Sequence, residues 1–219
     1  MDRYLNRAAA GKILAQELKH YAQRPKTLVL ALPRGGVPVA YEIAKALQTP
    51  LDVFVVRKLG VPGHEELAMG AIAMGGCSIL NDDIIHDLKI LPAALTRVTQ
   101  EEEKELERRV ALYRGAQPFP DLQNHLVILV DDGIATGATM RAAVIALKRN
   151  NPAKLIIAVP VAEKSMCATL SNMVDELICP LRPLDFHAVG AWYENFGQTS
   201  DEEVRTLLKK AKGFKQFVR

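Results

Sequence analysis

The chain has 219 residues, 49% of them apolar, which suffices for one sizeable α/β core and a small appendage but hardly for two independent domains. A formal charge of +3, spread without any aromatic-studded basic run, argues against a nucleic-acid groove. Cys77, Cys167 and Cys179 show neither zinc spacing nor the even count of a disulfide framework, no apolar signal core or membrane-length run is present, and a soluble cytoplasmic protein with reduced core thiols is expected.

In chain order, a first helix is predicted from about Arg7 to Tyr21, with Ala10, Ile13, Leu14 and Leu18 on one face. Strands are expected near Leu28 to Leu32, Leu51 to Val56, Gly70 to Met74, Leu126 to Asp131, Leu155 to Val161 and Asp175 to Ile178, with helices near 38 to 48 and 138 to 149. This alternation predicts an α/β fold: a largely parallel twisted sheet with helices on both faces. Between Pro92 and Arg114, Thr99-Gln-Glu-Glu102 reads as a capping box, and Leu95, Val98, Leu106, Val110 and Tyr113 trace a narrow stripe on a charged helix expected at an edge or between subunits. A last helix is expected from about Glu202 to Lys212, with Asp201, Glu202 and Glu203 at its positive end.

The most informative segment is Val127-Ile-Leu-Val-Asp131-Asp132-Gly133-Ile134-Ala135-Thr136-Gly137-Ala138-Thr139. A buried strand ends in two carboxylates, and a turn of small residues follows in which Gly133 and Gly137 bare the backbone N–H groups and Thr136 and Thr139 add hydroxyls. The helix beginning near Thr139 points its N-terminal amides at the same place, which makes an anion site from backbone alone. Asp131 and Asp132 would repel a phosphate, so their natural partners are sugar hydroxyls or hydrated magnesium. A plain strand, Asx turn and helix cap use the same residue types, but such a connection needs only one cap and one glycine. No GxxxxGK[ST], GxGxxG or GxSxG pattern occurs, against a nucleoside triphosphatase, a dinucleotide oxidoreductase or a serine hydrolase.

Two further segments fit an anionic ligand. Leu32-Pro33-Arg34-Gly35-Gly36-Val37-Pro38 follows a short apolar strand and pairs glycines with an arginine, although taken alone a glycine-rich turn with a solvated arginine explains it. In Val55-Val56-Arg57-Lys58-Leu59-Gly60-Val61-Pro62-Gly63-His64-Glu65-Glu66 a strand ends in two cations and enters a loop able to close. His64, Glu65 and Glu66 are ordinarily a solvated cluster, with acid/base or magnesium work as the alternative. Near the C-terminus, a proline-bounded irregular stretch from Cys179 to Gln198 gathers the only tryptophan and several other aromatics, which either offer a face to a flat ligand or anchor the stretch itself.

The VILVDDGIATGAT run resembles the signature of the type I phosphoribosyltransferases, which bind 5-phosphoribosyl 1-pyrophosphate (PRPP). PRGGVPVA and RKLGVPGHEELAMGAIA look most like a bacterial group of predicted members with unassigned acceptor. The resemblance implies that fold over a single domain, residues 1–219, with a helical insertion at about 92–115 and a hood at about 179–200 covering an acceptor base. It implies that Asp131 and Asp132 hold the ribose hydroxyls, that Ala135, Thr136, Gly137, Ala138 and Thr139 wrap the 5-phosphate, and that Gly133 and Ile134 also contact PRPP. Arg34, Gly35 and Gly36, in a loop that in the family often contains a non-proline cis peptide, would meet the pyrophosphate together with Arg57 and Lys58. Phe186, His187, Val189, Trp192 and Tyr193 would flank the acceptor, and Glu194 would reach a magnesium ion held mostly by PRPP and water. A homodimer is the family default. The 6-oxopurine members usually carry an aspartate where this chain has Ala135, so hypoxanthine and guanine are disfavoured and a base would come from Glu65, Glu66 or Glu194. The activity implied is magnesium-dependent transfer of phosphoribose to a nitrogen acceptor, with a PRPP-binding regulator as the rival reading.

Overall fold

The computed structural model describes residues 3–214, without the side chain of Glu66. Along the chain, α1 (Arg7–Glu17) ends in a 3-10 turn at Lys19–Tyr21 and is followed by β1 (Thr27–Ala31), α2 (Gly36–Leu47), β2 (Leu51–Val53), β3 (Val56–Val61), β4 (His64–Ala73) and β5 (Cys77–Leu80). Next come α3 (Asp82–Asp87), α4 (Pro92–Arg114), β6 (Leu126–Val130), α5 (Ala138–Lys148), β7 (Lys154–Ala158), α6 (Lys164–Ser171) and β8 (Glu176–Ile178), then a 3-10 turn at Val189–Trp192 and α7 (Asp201–Ala211). Among the described residues no helix is long and apolar enough to cross a membrane.

TLVLA and LVILV are apolar at almost every position, so neither β1 nor β6 has a face suited to water. Both strands are buried along their whole length in a five-stranded parallel sheet of order β2-β1-β6-β7-β8. Their register aligns Ala31 with Val130, so the loops that follow emerge side by side at the carboxyl edge, where open α/β sheets bind ligands. Helices α1 and α2 pack closely because Gly11 has no side chain: a Cβ there would lie 2.5 Å from the Val39 carbonyl oxygen.

The predicted strand at 70–74 does not join this sheet. It belongs to β4, the middle strand of a separate antiparallel sheet of order β3-β4-β5, and the expected loop after Lys58 is a β-hairpin turning at Pro62 and Gly63, the latter at φ 80°. Small residues permit the close pairing, since a Cβ on Gly70 would lie 2.6 Å from the Ile79 carbonyl oxygen. One face of this sheet buries Leu59, Val61, Met69 and Ile72 under Ile84, Ile85, Leu95 and Val98 of α3 and α4. The helix expected over 92–115 is α4, but Thr99–Glu102 is no capping box. Pro92, whose ring fixes φ and whose missing N–H is no loss in a first turn, starts the helix earlier and places that run in its interior. Cys167 and Cys179 are buried free thiols and Cys77 is partly exposed.

Candidate active site at the β1 and β6 loops

The chain bends sharply after Leu32, where the Pro33–Arg34 peptide is cis, and Gly35 and Gly36 pass directly beneath the end of β6. A Cβ on Gly35 would sit 2.0 Å from Oδ2 of Asp132, and one on Gly36 would sit 2.7 Å from the Val130 carbonyl oxygen and 2.9 Å from Cα of Asp131. The two glycine-bearing motifs, about a hundred residues apart in sequence, thus form one contiguous surface.

The acidic pair is held by few donors. The Asp132 amide donates to Oδ1 of Asp131 at 2.8 Å, and Nε of Arg7 donates to Oδ2 of Asp132 at 2.7 Å. A carboxylate accepts up to about four hydrogen bonds, so the pair retains capacity for hydroxyl donors. Burial raises the Asp131 carboxyl well above the ordinary aspartate range, and the neighbouring Asp132 charge raises it further. Burial also raises Asp132, against the lowering effect of Arg7.

A carboxyl that ionises less readily in the folded chain than in the unfolded one destabilises the fold once charged. Below the ordinary aspartate range both states hold the proton and the penalty is absent. As pH rises through that range the unfolded chain ionises first, and stability declines until pH passes the raised folded value. Asp131→Asn keeps the acceptor for the Asp132 amide and removes this penalty. It is expected to raise the melting temperature near neutral or mildly alkaline pH, by about 2–4 °C per kcal/mol relieved, with a smaller change in acid. A lower melting temperature at alkaline pH would count against it.

After Asp132 the backbone turns toward α5. The amides of Ala135, Thr136, Gly137, Ala138 and Thr139 have no protein acceptor among the described residues, while Ala135, Thr136 and Thr139 are exposed. An anion seated there would satisfy amides that already converge at the start of α5. Ile134 departs from expectation: it is buried and its amide donates to the Val161 carbonyl at 2.9 Å, so its N–H is not available to a phosphate. Gly36 departs likewise, because its amide donates to the Leu32 carbonyl at 3.1 Å. Gly137 has φ 72°, and a Cβ on it would lie 2.5 Å from Sδ of Met166. Gly137→Ala is expected to destabilise by about 1–2 kcal/mol from the left-handed backbone alone and to weaken phosphate binding. Denaturant melts and phosphate competition measure the two effects, and wild-type values in both would refute the expectation.

The expected cations separate. Strand pleating sends Arg57 and Lys58 to opposite faces. Nε of Arg57 donates to Oε2 of Glu102 on α4 at 2.6 Å, so the helix that covers this face has engaged it. Lys58 faces a cavity of about 610 Å³ that also borders Thr139, Arg141 and Asn81, beside the first turn of α5. The Arg34 guanidinium is partly exposed and reaches Oδ1 of Asp201, at the start of α7, at 3.7 Å; Tyr113 donates to the same oxygen at 2.5 Å.

The C-terminal stretch approaches the site from the other side. Val189 lies so near Gly133 that a Cβ there would be 2.5 Å from Cγ1 of Val189. Tyr193, expected beside an acceptor, is 3% exposed; its ring packs on Tyr4 and Phe196, and its hydroxyl donates to the Asp132 carbonyl at 2.5 Å. It is a strut with no open face for a base. Trp192 packs into the same cluster with Tyr4 and Ala10. Phe186 is partly exposed, and His187 is solvent-facing beside Asp185 at 3.2 Å. Glu194 is exposed, its amide bonded to the Tyr4 carbonyl. Glu65 is a poor base, because its own amide and that of Gly63 hold its carboxyl below the usual glutamate range. The Glu66 side chain lies outside the described residues. Among the described residues no three His, Cys, Asp or Glu side chains converge as a metal site.

Arg7 is the site residue that sequence reasoning missed. It sits 125 positions from Asp132 at the start of α1, and no local pattern distinguishes it.

Comparison with known proteins gives a consistent picture. The model of the phosphoribosyl transferase domain matches residues 2–183. Two Mycobacterium tuberculosis proteins, from strains CDC 1551 / Oshkosh and ATCC 25618 / H37Rv, both provisionally named phosphoribosyl transferases, are 44% identical over 211 residues, 96% of this chain. The chain spans 47% of the length of those relatives. The crystal structure of TT1426 from Thermus thermophilus aligns with a TM-score of 0.80 at 38% identity, covering 95% of this chain and 98% of that one. With a family model over most of its length, and a parallel sheet whose β1 and β6 loops meet at an acidic pair, the chain belongs to the phosphoribosyl transferase domain family.

Proposed function

We propose that this protein transfers a 5-phosphoribosyl group from PRPP to a nitrogen acceptor, a nucleobase or related heterocycle, with release of pyrophosphate and dependence on magnesium. The observation that carries the reading is the joining of three features at one sheet edge: an under-occupied carboxylate pair, a run of unpaired amides that begins a few residues further on, and the Arg34 loop packed against Asp132.

In this reading the amides from Ala135 to Thr139 receive the 5-phosphate, with the hydroxyls of Thr136 and Thr139 as further donors. Asp131 and Asp132 accept from the two ribose hydroxyls and place negative charge beside the ring, where positive charge develops as the bond from C1 to the pyrophosphate oxygen breaks. Arg34, the Gly35 amide and Lys58 stabilise the negative charge on the leaving group, and Arg57, engaged by Glu102, orders the hairpin that carries Lys58. Magnesium, when bound with PRPP, neutralises part of that charge; Glu194 is the protein side chain assigned to it. The segment from Phe186 to Val189, of which Val189 lies against Gly133, takes the acceptor, while Trp192 and Tyr193 brace it from behind. Water is kept from the reacting centre by this segment on one side and the β3–β4 hairpin on the other.

Purified protein incubated with PRPP and magnesium should release pyrophosphate in the presence of at least one member of a panel of purines, pyrimidines and other nitrogen heterocycles. Tight PRPP binding without turnover for any acceptor would favour a regulator that senses the metabolite. Absence of PRPP binding altogether would defeat both.

A further inference from the structure

Arg7 makes three contacts, one to the acidic pair and two to the C-terminal segment. Nε donates to Oδ2 of Asp132 at 2.7 Å, Nη1 donates to the Gly197 carbonyl at 2.6 Å, and the guanidinium carbon lies 3.9 Å above the centre of the Phe196 ring. The side chain is 12% exposed, so this is no solvated surface pair. The clamp closes through Tyr193, which stacks on Phe196 and donates its hydroxyl to the Asp132 carbonyl. It continues through Glu194 and Asn195, whose amides bond the carbonyls of Tyr4 and Leu5 just ahead of α1. Two remote chain segments, 4–7 and 193–197, are thereby fastened to each other and to one carboxylate.

We propose that Arg7 is a positioning residue for the ribose-binding carboxylate: its guanidinium holds Asp132 fixed against Gly35, and it locks the C-terminal segment to that same group. The inference rests on the proposed PRPP reading. Its physical basis is charge in a confined place. Asp132 faces Asp131 from its own strand end, the backbone of Gly35 from the start of α2, and the phenol of Tyr193 with Tyr4 behind it, while the Arg34 guanidinium is turned to Asp201. Arg7 is therefore the cation in contact with the pair among the described residues. Without it, two adjacent carboxylates would share a mostly buried site, and one would hold its proton to higher pH.

The test uses Arg7→Met and Arg7→Lys with two measurements. Carbon-13 carboxyl NMR of the ligand-free proteins should show the Asp132 midpoint moving up in Arg7→Met by about one pH unit or more, the scale of an opposite charge removed at contact distance. Arg7→Lys should stay near wild type. In turnover, Arg7→Met should raise KM for PRPP about tenfold to a hundredfold, as when the partner orienting a ligating carboxylate is lost, and move the acid limb of kcat/KM to higher pH. A merely structural role would lower the melting temperature of both variants and leave the acid limb unmoved. Should Arg7→Met not fold, Arg7→Lys and Phe196→Leu decide the matter, both being expected to keep the wild-type midpoint and to raise KM. Unshifted midpoints together with a PRPP KM within about twofold of wild type would overturn the proposal. Calorimetry of wild type with PRPP separates the two failures: no heat defeats the preceding reading, whereas equal heats for wild type and Arg7→Met defeat only the role of Arg7.

Discussion

Asp132→Asn is expected to lower turnover at saturating PRPP by roughly 10²–10³-fold, the range associated with removing one preorganised electrostatic group from a reacting centre, while the protein stays folded. Asparagine has nearly the same shape, so it still fits over Gly35 and can still offer an oxygen to Arg7. It lacks the charge that, in the proposed reaction, would steady positive character on the ribose ring. Stability should change little because two consequences oppose each other. The ion pair with Arg7 is weakened, but so is the repulsion that burial enforces between Asp131 and Asp132. Steady-state kinetics beside a thermal melt measure both quantities. Turnover within about threefold of wild type would show that this carboxylate does not serve the reacting sugar.

The largest expected loss of stability lies away from the site. Arg114, the last residue of α4, is buried and grips Asp52 of β2 with Nε and Nη2, each 3.0 Å from a carboxylate oxygen. Two further N–H groups donate to the carbonyls of Gln117 and Pro118 at 3.0 and 2.9 Å, and its guanidinium lies 5.4 Å from the centre of the Phe119 ring. Arg114→Ala leaves a partly buried carboxylate with only the Val53 amide and no cation, and two carbonyls without their guanidinium donors. A cost of about 3–5 kcal/mol is expected for breaking such a pair from one side, which corresponds to roughly 6–20 °C in melting temperature for a chain of this size. Arg114→Lys should recover only part of this, because a single ammonium cannot reproduce the planar fork. A shift below about 1 kcal/mol in Arg114→Ala, read from denaturant melts, would show that water or neighbouring side chains replace the guanidinium without difficulty. Since Arg114 ties α4 to the edge of the parallel sheet, and α4 in turn holds Arg57, this variant should also loosen the β3–β4 hairpin. Faster amide hydrogen exchange from Val56 to Ala73 would report that coupling.

What the sequence by itself determined is whatever depends on contiguous residues. TLVLA and LVILV are apolar at almost every position and too short for buried helices, so they had to be interior strands, and the residues after each are types that expose backbone amides in a turn. The acidic pair and the phosphate-type loop were legible for the same reason: carboxylates, glycines and hydroxyls act together there through spacings of a few residues. Tertiary structure decided the contacts between distant segments. Only packing shows that Gly35 fits because Asp132 lies over it, that Tyr193 is a strut, or that Ile134 gives its amide to Val161. The strand at 64–73 left the parallel sheet because its hairpin partners and the apolar face under α3 and α4 captured it, a choice that residue preferences alone do not encode. Arg57 and Lys58, adjacent cations of equal promise in the sequence, were separated by the pleat and by the helix that covers one face. Arg7 had no local signature at all, because an ion pair across 125 residues is specified by how helix and sheet are stacked and by nothing within reach of either residue along the chain.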